Sequence, residues 1–95
     1  MKIEIVSNFV IPGLEDQDGI FMDKPMVTLR EVLEELSLRS SGRVTYIKPS
    51  TGAVDPMNFL IEVNGLPIQD TKESLEVMLK EGDIVKIQLA PLGGG

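Results

Sequence analysis

The sequence predicts an α+β domain: a mixed sheet of four to five strands curled around one main helix, with a short helical turn among the later strands. Three observations carry this. A single amphipathic segment opens with a full helix-start signal, Thr28-Leu29-Arg30-Glu31; alternating apolar runs lie on both sides of it; and the last run, Ile84 to Ala90, follows a Gly82-Asp83 turn. One helix of about three turns cannot cover two sheet faces, so the sheet has to curl over it.

Lys2 to Val10 places Ile3 and Ile5 on one face, with Val6 breaking strict alternation, and stops near Pro12-Gly13. This is the first strand. Gly13 to Gly19 is polar and acidic, and Ile20 to Val27 then resumes with Ile20 and Met22 in phase. It forms the second strand of a hairpin, and Pro25, which lacks an N–H, assigns it to an edge. In the helix, the Thr28 hydroxyl and the Glu31 carboxylate are spaced to satisfy each other's backbone N–H groups, and Val27 and Val32 are spaced as a hydrophobic staple. Leu29, Val32, Leu33 and Leu36 make one apolar stripe, with Arg30, Glu31, Glu34 and Glu35 largely off it. Ser40-Ser41-Gly42 ends the helix, Gly42 taking the left-handed cap.

Val44 to Ile47 is a short strand. Pro49-Ser50-Thr51-Gly52 and Asp55-Pro56 are dense in turn formers, so a loop or a splayed hairpin follows. Phe59 to Val63 and Leu66 to Ile68 flank Asn64-Gly65, the strongest short hairpin signal because both residues tolerate positive φ. Asp70-Thr71-Lys72-Glu73 caps a helical turn carrying Leu75, Val77, Met78 and Leu79. Glu81-Gly82-Asp83 then turns into the final strand, where Val85, Ile87 and Leu89 share one face and Lys86 and Gln88 the other. Residues 1–92 are expected to form one domain and 93–95 a flexible glycine tail.

With 95 residues the chain has room for one core and no separate catalytic domain. Nine Lys and Arg against fifteen Asp and Glu give a net charge of -6, which disfavours nucleic acid and suits encounter with a basic cleft. No apolar run approaches the length that crosses a bilayer, and the N-terminus alternates like a strand rather than a signal peptide, so a cytoplasmic location without membrane contact is expected. Cysteine and histidine are both absent. The commonest nucleophile–base pairs and thiolate or imidazole zinc sites cannot be assembled, so a non-enzyme that binds no metal or cofactor is expected.

Glu15-Asp16-Gln17-Asp18-Gly19 is a solvated loop rather than a calcium loop, because Leu14 and Pro25 stand where ligands are required. No glycine-lysine-hydroxyl phosphate loop occurs, so any ATP is held by another protein. Met22, Met26, Met57 and Met78 are scattered as core fillers. Of Phe9, Phe21, Phe59 and Tyr46, at least half belong to the core.

That leaves Ala90-Pro91-Leu92-Gly93-Gly94-Gly95. A bare triple glycine is what a frayed tail leaves too. Its position after a strand, with Pro91 stiffening the exit, favours a working terminus: residues without Cβ thread a narrow channel.

In the order of its signals the chain resembles the ubiquitin-like sulfur carriers of the β-grasp fold, the family of the molybdopterin synthase small subunit (MoaD) and the thiamine-pathway carrier (ThiS). The residues that carry the likeness are the Thr28 to Leu36 helix entry, Asn64-Gly65, the Gly82-Asp83 turn, the Val85-Ile87-Leu89 strand and Gly94-Gly95. The resemblance implies a carrier whose Gly95 carboxylate is adenylated by an E1-like partner using ATP and Mg, then converted to a thiocarboxylate by a sulfur donor such as a cysteine desulfurase or rhodanese. A large synthase subunit or another acceptor enzyme would consume the sulfur. Gly93 and Gly94 would thread the partner's channel, and Leu89, Pro91 and Leu92 would bind the partner. Three terminal glycines depart from the molybdopterin type, which ends in two. The longer segments Pro12 to Gly19 and Pro49 to Pro56 lean away from the thiamine type, so molybdopterin or tungstopterin synthesis leads. The alternatives are a thiamine-type carrier, a protein modifier conjugated through Gly95, and a β-grasp interaction module whose tail is incidental.

Overall fold

The computed structural model describes residues 1–14, 18–41, 46–48, 53–54, 59–68 and 72–89. In chain order its strands are β1 Lys2–Ser7, β2 Gly19–Phe21, β3 Val27–Thr28, β4 Ile47–Lys48, β5 Ala53–Val54, β6 Phe59–Val63, β7 Leu66–Pro67, β8 Met78–Leu79 and β9 Ile84–Leu89. Helix α1, Leu29–Arg39, lies between β3 and β4, and a 3-10 turn, Lys72–Glu76, precedes β8.

Alternation decides which face of each long strand is buried. Ile3 and Ile5 of β1, Ile61 and Val63 of β6, and Val85 and Ile87 of β9 are all buried with Leu29, Val32, Leu33 and Leu36 of α1 in one core. The main sheet has the order β2-β1-β9-β6-β7. β9 runs parallel to β1, with Ile5 opposite Val85, and antiparallel to β6, with Val63 opposite Val85. The last described strand is therefore the middle strand of the sheet. A mixed five-stranded sheet over one helix, with the C-terminal strand at its centre, is the β-grasp fold.

The capping box at Thr28 forms as its spacing predicts. The Glu31 N–H donates to Thr28 Oγ1 (3.2 Å) and the Thr28 N–H to Glu31 Oε1 (3.0 Å). The Leu29 N–H, a further orphan of the first turn, donates to the Val77 carbonyl (3.0 Å). The Lys24 ammonium, 2.6 Å from Glu31, and the Thr28 N–H hold the partly exposed Glu31 carboxyl below the usual range. Arg30 joins the helix to the 3-10 turn through Glu76 (2.7 Å).

Four expectations need correction. The second strand is only Gly19–Phe21; Val27–Thr28 belongs to a separate two-stranded sheet, antiparallel to β8. Pro25 falls in the bend between the two, where its missing N–H breaks the run rather than marking an edge. β2 is nevertheless at the sheet edge. The helical turn stops at Glu76, because Met78 and Leu79 extend to pair with Thr28 and Val27. The first strand ends at Ser7 rather than Val10, since the Ser7 hydroxyl donates to the Phe9 carbonyl (2.6 Å) and holds a bend there. At the helix end Ser41 (φ 59) takes the left-handed position, after Ser40 has donated its hydroxyl to the Ser37 carbonyl (2.7 Å). Gly42 and the start of the Val44 to Ile47 strand lie outside the described residues; Ile47–Lys48 pairs with Ala53–Val54 as a short hairpin.

Asn64 (φ 51) and Gly65 (φ 86) turn β6 into β7 as predicted. Tyr46 is fully buried, and among the described residues its hydroxyl has no hydrogen-bond partner. Burial raises its pKa. A buried hydroxyl left unpaired is a desolvation cost, so Tyr46→Phe is expected to leave stability unchanged or raise it by about 1 kcal/mol. A urea-denaturation midpoint that falls in the variant would contradict this.

Candidate functional site

Of the residues singled out in the C-terminal segment, Leu89 is described; Pro91, Leu92, Gly93, Gly94 and Gly95 lie outside the described residues, and the 92/93 domain boundary with them. The describable part of the site is the end of β9 from which that segment leaves.

Leu89 continues the inward face of Val85 and Ile87, but at the rim of the core it is 48% exposed. Across the ladder it faces Phe59, which is buried. The Phe59 ring meets Tyr46 (centroids 4.9 Å, tilted) and Phe9 (6.2 Å, tilted), so three of the four aromatic residues gather behind the strand end. Tilted contacts at these separations are the favoured geometry of aromatic pairs. Phe21 stands apart, exposed at the sheet edge. On the outward face Val6, Lys86 and Glu62 form one row across β1, β9 and β6, and Leu60 lies beside Gln88. Val6 and Leu60 are each nearly half exposed, and Val10 more so. The strand end is thus flanked by apolar side chains that a partner surface is able to cover.

The Leu89 N–H donates to Asn8 Oδ1 at 3.0 Å. Sequence reasoning passed over Asn8. Its only local signal is a polar, turn-favouring residue directly after a strand, and its partner is 81 positions away.

The opposite end of β9 is also held by side chains. The Asn64 N–H donates to the Ile84 carbonyl (2.8 Å), and Asn64 Oδ1 accepts from the Ile84 N–H (2.9 Å). Asn64 Nδ2 in turn donates to Asp83 Oδ1 (3.3 Å). Asp83 is a buried carboxylate that also accepts from the Lys80 N–H (2.9 Å) and the Lys80 ammonium (3.4 Å). Burial pushes its carboxyl up, but the Lys80 N–H, the Asn64 amide and the Lys80 charge outweigh burial and set it below the usual range. A carboxyl lowered in the folded state stabilises fully above its unfolded pKa of about 4, and that contribution is lost as pH falls through the folded value. Urea midpoints measured from pH 7 down to 2 are expected to fall on acidification. Asp83→Asn should be less stable at neutral pH and fall less steeply, and parallel curves would contradict the assignment.

Among the described residues no group of three or more His, Cys, Asp or Glu is placed to hold a metal ion, and no helix is long and apolar enough to cross a membrane.

No protein-family model and no curated protein matches the chain. Among solved structures the chain is similar to the Haloferax volcanii HVO 2177 protein, known from a solution structure. The TM-score is 0.67 at 24% identity, over 99% of this chain and 87% of that one. At that identity the likeness shows the β-grasp fold.

Proposed function

We propose that the chain is a sulfur carrier of the ubiquitin-like type, acting through the carboxylate of Gly95, most specifically in molybdopterin or tungstopterin synthesis. One observation carries the reading: the middle strand of the sheet, anchored at both ends, leads directly into Ala90-Pro91-Leu92-Gly93-Gly94-Gly95. A strand paired on both sides is a rigid root, and glycines lacking Cβ pass through a channel that closes on backbone alone. The exposed apolar residues on the outward face near the root, Leu60 and Val6, give an adenylating partner a surface to cover, with Leu89 exposed at the rim on the other face.

The chemistry follows from the terminus. A carboxylate resists nucleophiles, so one of its oxygens first attacks the α-phosphorus of ATP held by the partner, and pyrophosphate leaves. A hydrosulfide then adds to the acyl carbon and AMP departs, leaving a thiocarboxylate; where the nucleophile is the donor's persulfide, AMP departs from an acyl disulfide, and a second thiol attacks its S–S bond, releasing the thiocarboxylate and forming a disulfide on the donor. The carrier needs no thiol of its own, in keeping with a sequence without cysteine.

The test is ATP–pyrophosphate exchange by a purified E1-like adenylating enzyme from the same genome. Exchange is expected only when this chain is added. Its absence with an active partner would contradict the reading, and chain-dependent conjugates on lysines that survive boiling and reductant would replace it with the modifier reading.

A further inference from the structure

We propose that Asn8 is a positioning residue for the C-terminal segment, its side-chain amide closing the last described rung of β9 at Leu89, from which the chain runs on into residues 90–95. The clamp stands on geometry; its consequence rests on the carrier reading above.

The Glu4 N–H donates to the Asp83 carbonyl (3.0 Å), so the even-numbered residues of β1 reach across to β9 in the alternating pattern of a parallel pair. Val6 is the next, and Asn8 the one after. At Asn8, however, the chain has already left the strand, bent by the Ser7 hydroxyl on the Phe9 carbonyl. The Asn8 side-chain oxygen takes the Leu89 N–H in place of the backbone carbonyl that would otherwise receive it.

No rung on the β6 side substitutes for this one. Asn64 and Ile84 are a hydrogen-bonded pair of the antiparallel ladder, so by alternation Glu62 with Lys86 and Leu60 with Gln88 are the next such pairs. Leu89, opposite Phe59, is in a non-hydrogen-bonded pair, and its N–H points toward β1. The same substitution occurs at the other end of β9, where Asn64, turned into the left-handed region, returns its side-chain oxygen rather than its carbonyl to Ile84. Each end of the central strand is thus closed by an asparagine amide at the place where the neighbouring strand turns away.

Loss of the Asn8 amide would move the root of the tail back from Leu89 to Gln88, which its pairing with Leu60 still holds. One residue spans about 3.5 Å, against about 20 Å for six residues, so the volume that the terminus searches would grow. Misplacement on that scale lowers the rate of a positioned reaction while leaving the docking face intact.

The experiment compares Asn8→Ala, Asn8→Asp, which keeps an acceptor oxygen, and Thr28→Ala, which loses the helix cap far from the tail. Amide hydrogen exchange by NMR is expected to show protection of Leu89 falling about tenfold in Asn8→Ala, with Ile84 unaffected and Asn8→Asp close to the native chain. In ATP–pyrophosphate exchange with the adenylating enzyme, kcat for Asn8→Ala is expected to fall about tenfold with KM within about twofold, Asn8→Asp and Thr28→Ala staying near native. Unchanged protection of Leu89 in Asn8→Ala overturns the clamp. Lost protection with kcat no lower than that of Thr28→Ala overturns the positioning role. A native chain that supports no exchange overturns the carrier reading, and the functional half of this proposal with it; the native sample alone distinguishes that failure from the other two.

Discussion

Gly13→Ala is expected to cost roughly 3 kcal/mol of folding stability, against about 1 kcal/mol for Gly82→Ala, although both residues have the same backbone φ of +86. The shared φ is the control. An L-residue at that dihedral carries a conformational cost at either site, so the difference between the variants isolates the steric part. At Gly82 an added Cβ meets nothing within 4 Å. At Gly13 it would stand 2.5 Å from the carbonyl oxygen and 2.8 Å from the carbonyl carbon of Arg39, the last residue of α1. Those are backbone atoms, and no rotamer change relieves the contact; either the 11–14 turn or the end of the helix has to move. The turn is itself tied into the core by the buried Ile11 and Leu14 and by the Leu14 N–H on the Ile11 carbonyl (3.0 Å). Urea denaturation of both variants checks this. Equal losses would show that the turn gives way freely and that its seat on the helix end contributes little.

Deleting Gly94 and Gly95 is expected to abolish adenylation, a loss of at least about 100-fold, while moving folding stability by no more than about 0.5 kcal/mol. The truncated chain still ends in a glycine carboxylate, so the reacting group is unchanged. What changes is reach: two extended residues span about 7 Å, more than twice the approach that a near-attack geometry tolerates. The fold should not notice, because the described core and the sheet ladder are complete by Leu89. Activity and stability falling together would mean that the tail is part of the folded domain. Activity retained in the truncated chain would point instead to an interaction module with an incidental tail.

The helix, the Asn64-Gly65 hairpin and the Gly82 turn were legible in the sequence because their signals are local: a hydroxyl and a carboxylate three residues apart, and residues that tolerate positive φ between alternating runs. The second sheet was not. Val27–Thr28 and Met78–Leu79 are two residues each, too short for any period, and their partnership spans the whole middle of the chain. Ser41 in the left-handed position was missed because a glycine stood next to it and serine carries the propensity only weakly. The central place of β9 was not legible either, because nothing in its residues says which strands flank it. Asn8 was illegible for a further reason. Its role depends on ladder parity and on where β1 bends, and both are properties of the assembled sheet.

Intact-mass measurement tests the central claim most directly. The full chain is expressed with the adenylating enzyme and a sulfur donor from the same genome, purified without reductant, and weighed. The account predicts a gain equal to the exchange of one oxygen for one sulfur, located at Gly95 by fragmentation and absent without ATP. An unchanged mass, with an enzyme that demonstrably adenylates its own established carrier, would contradict it.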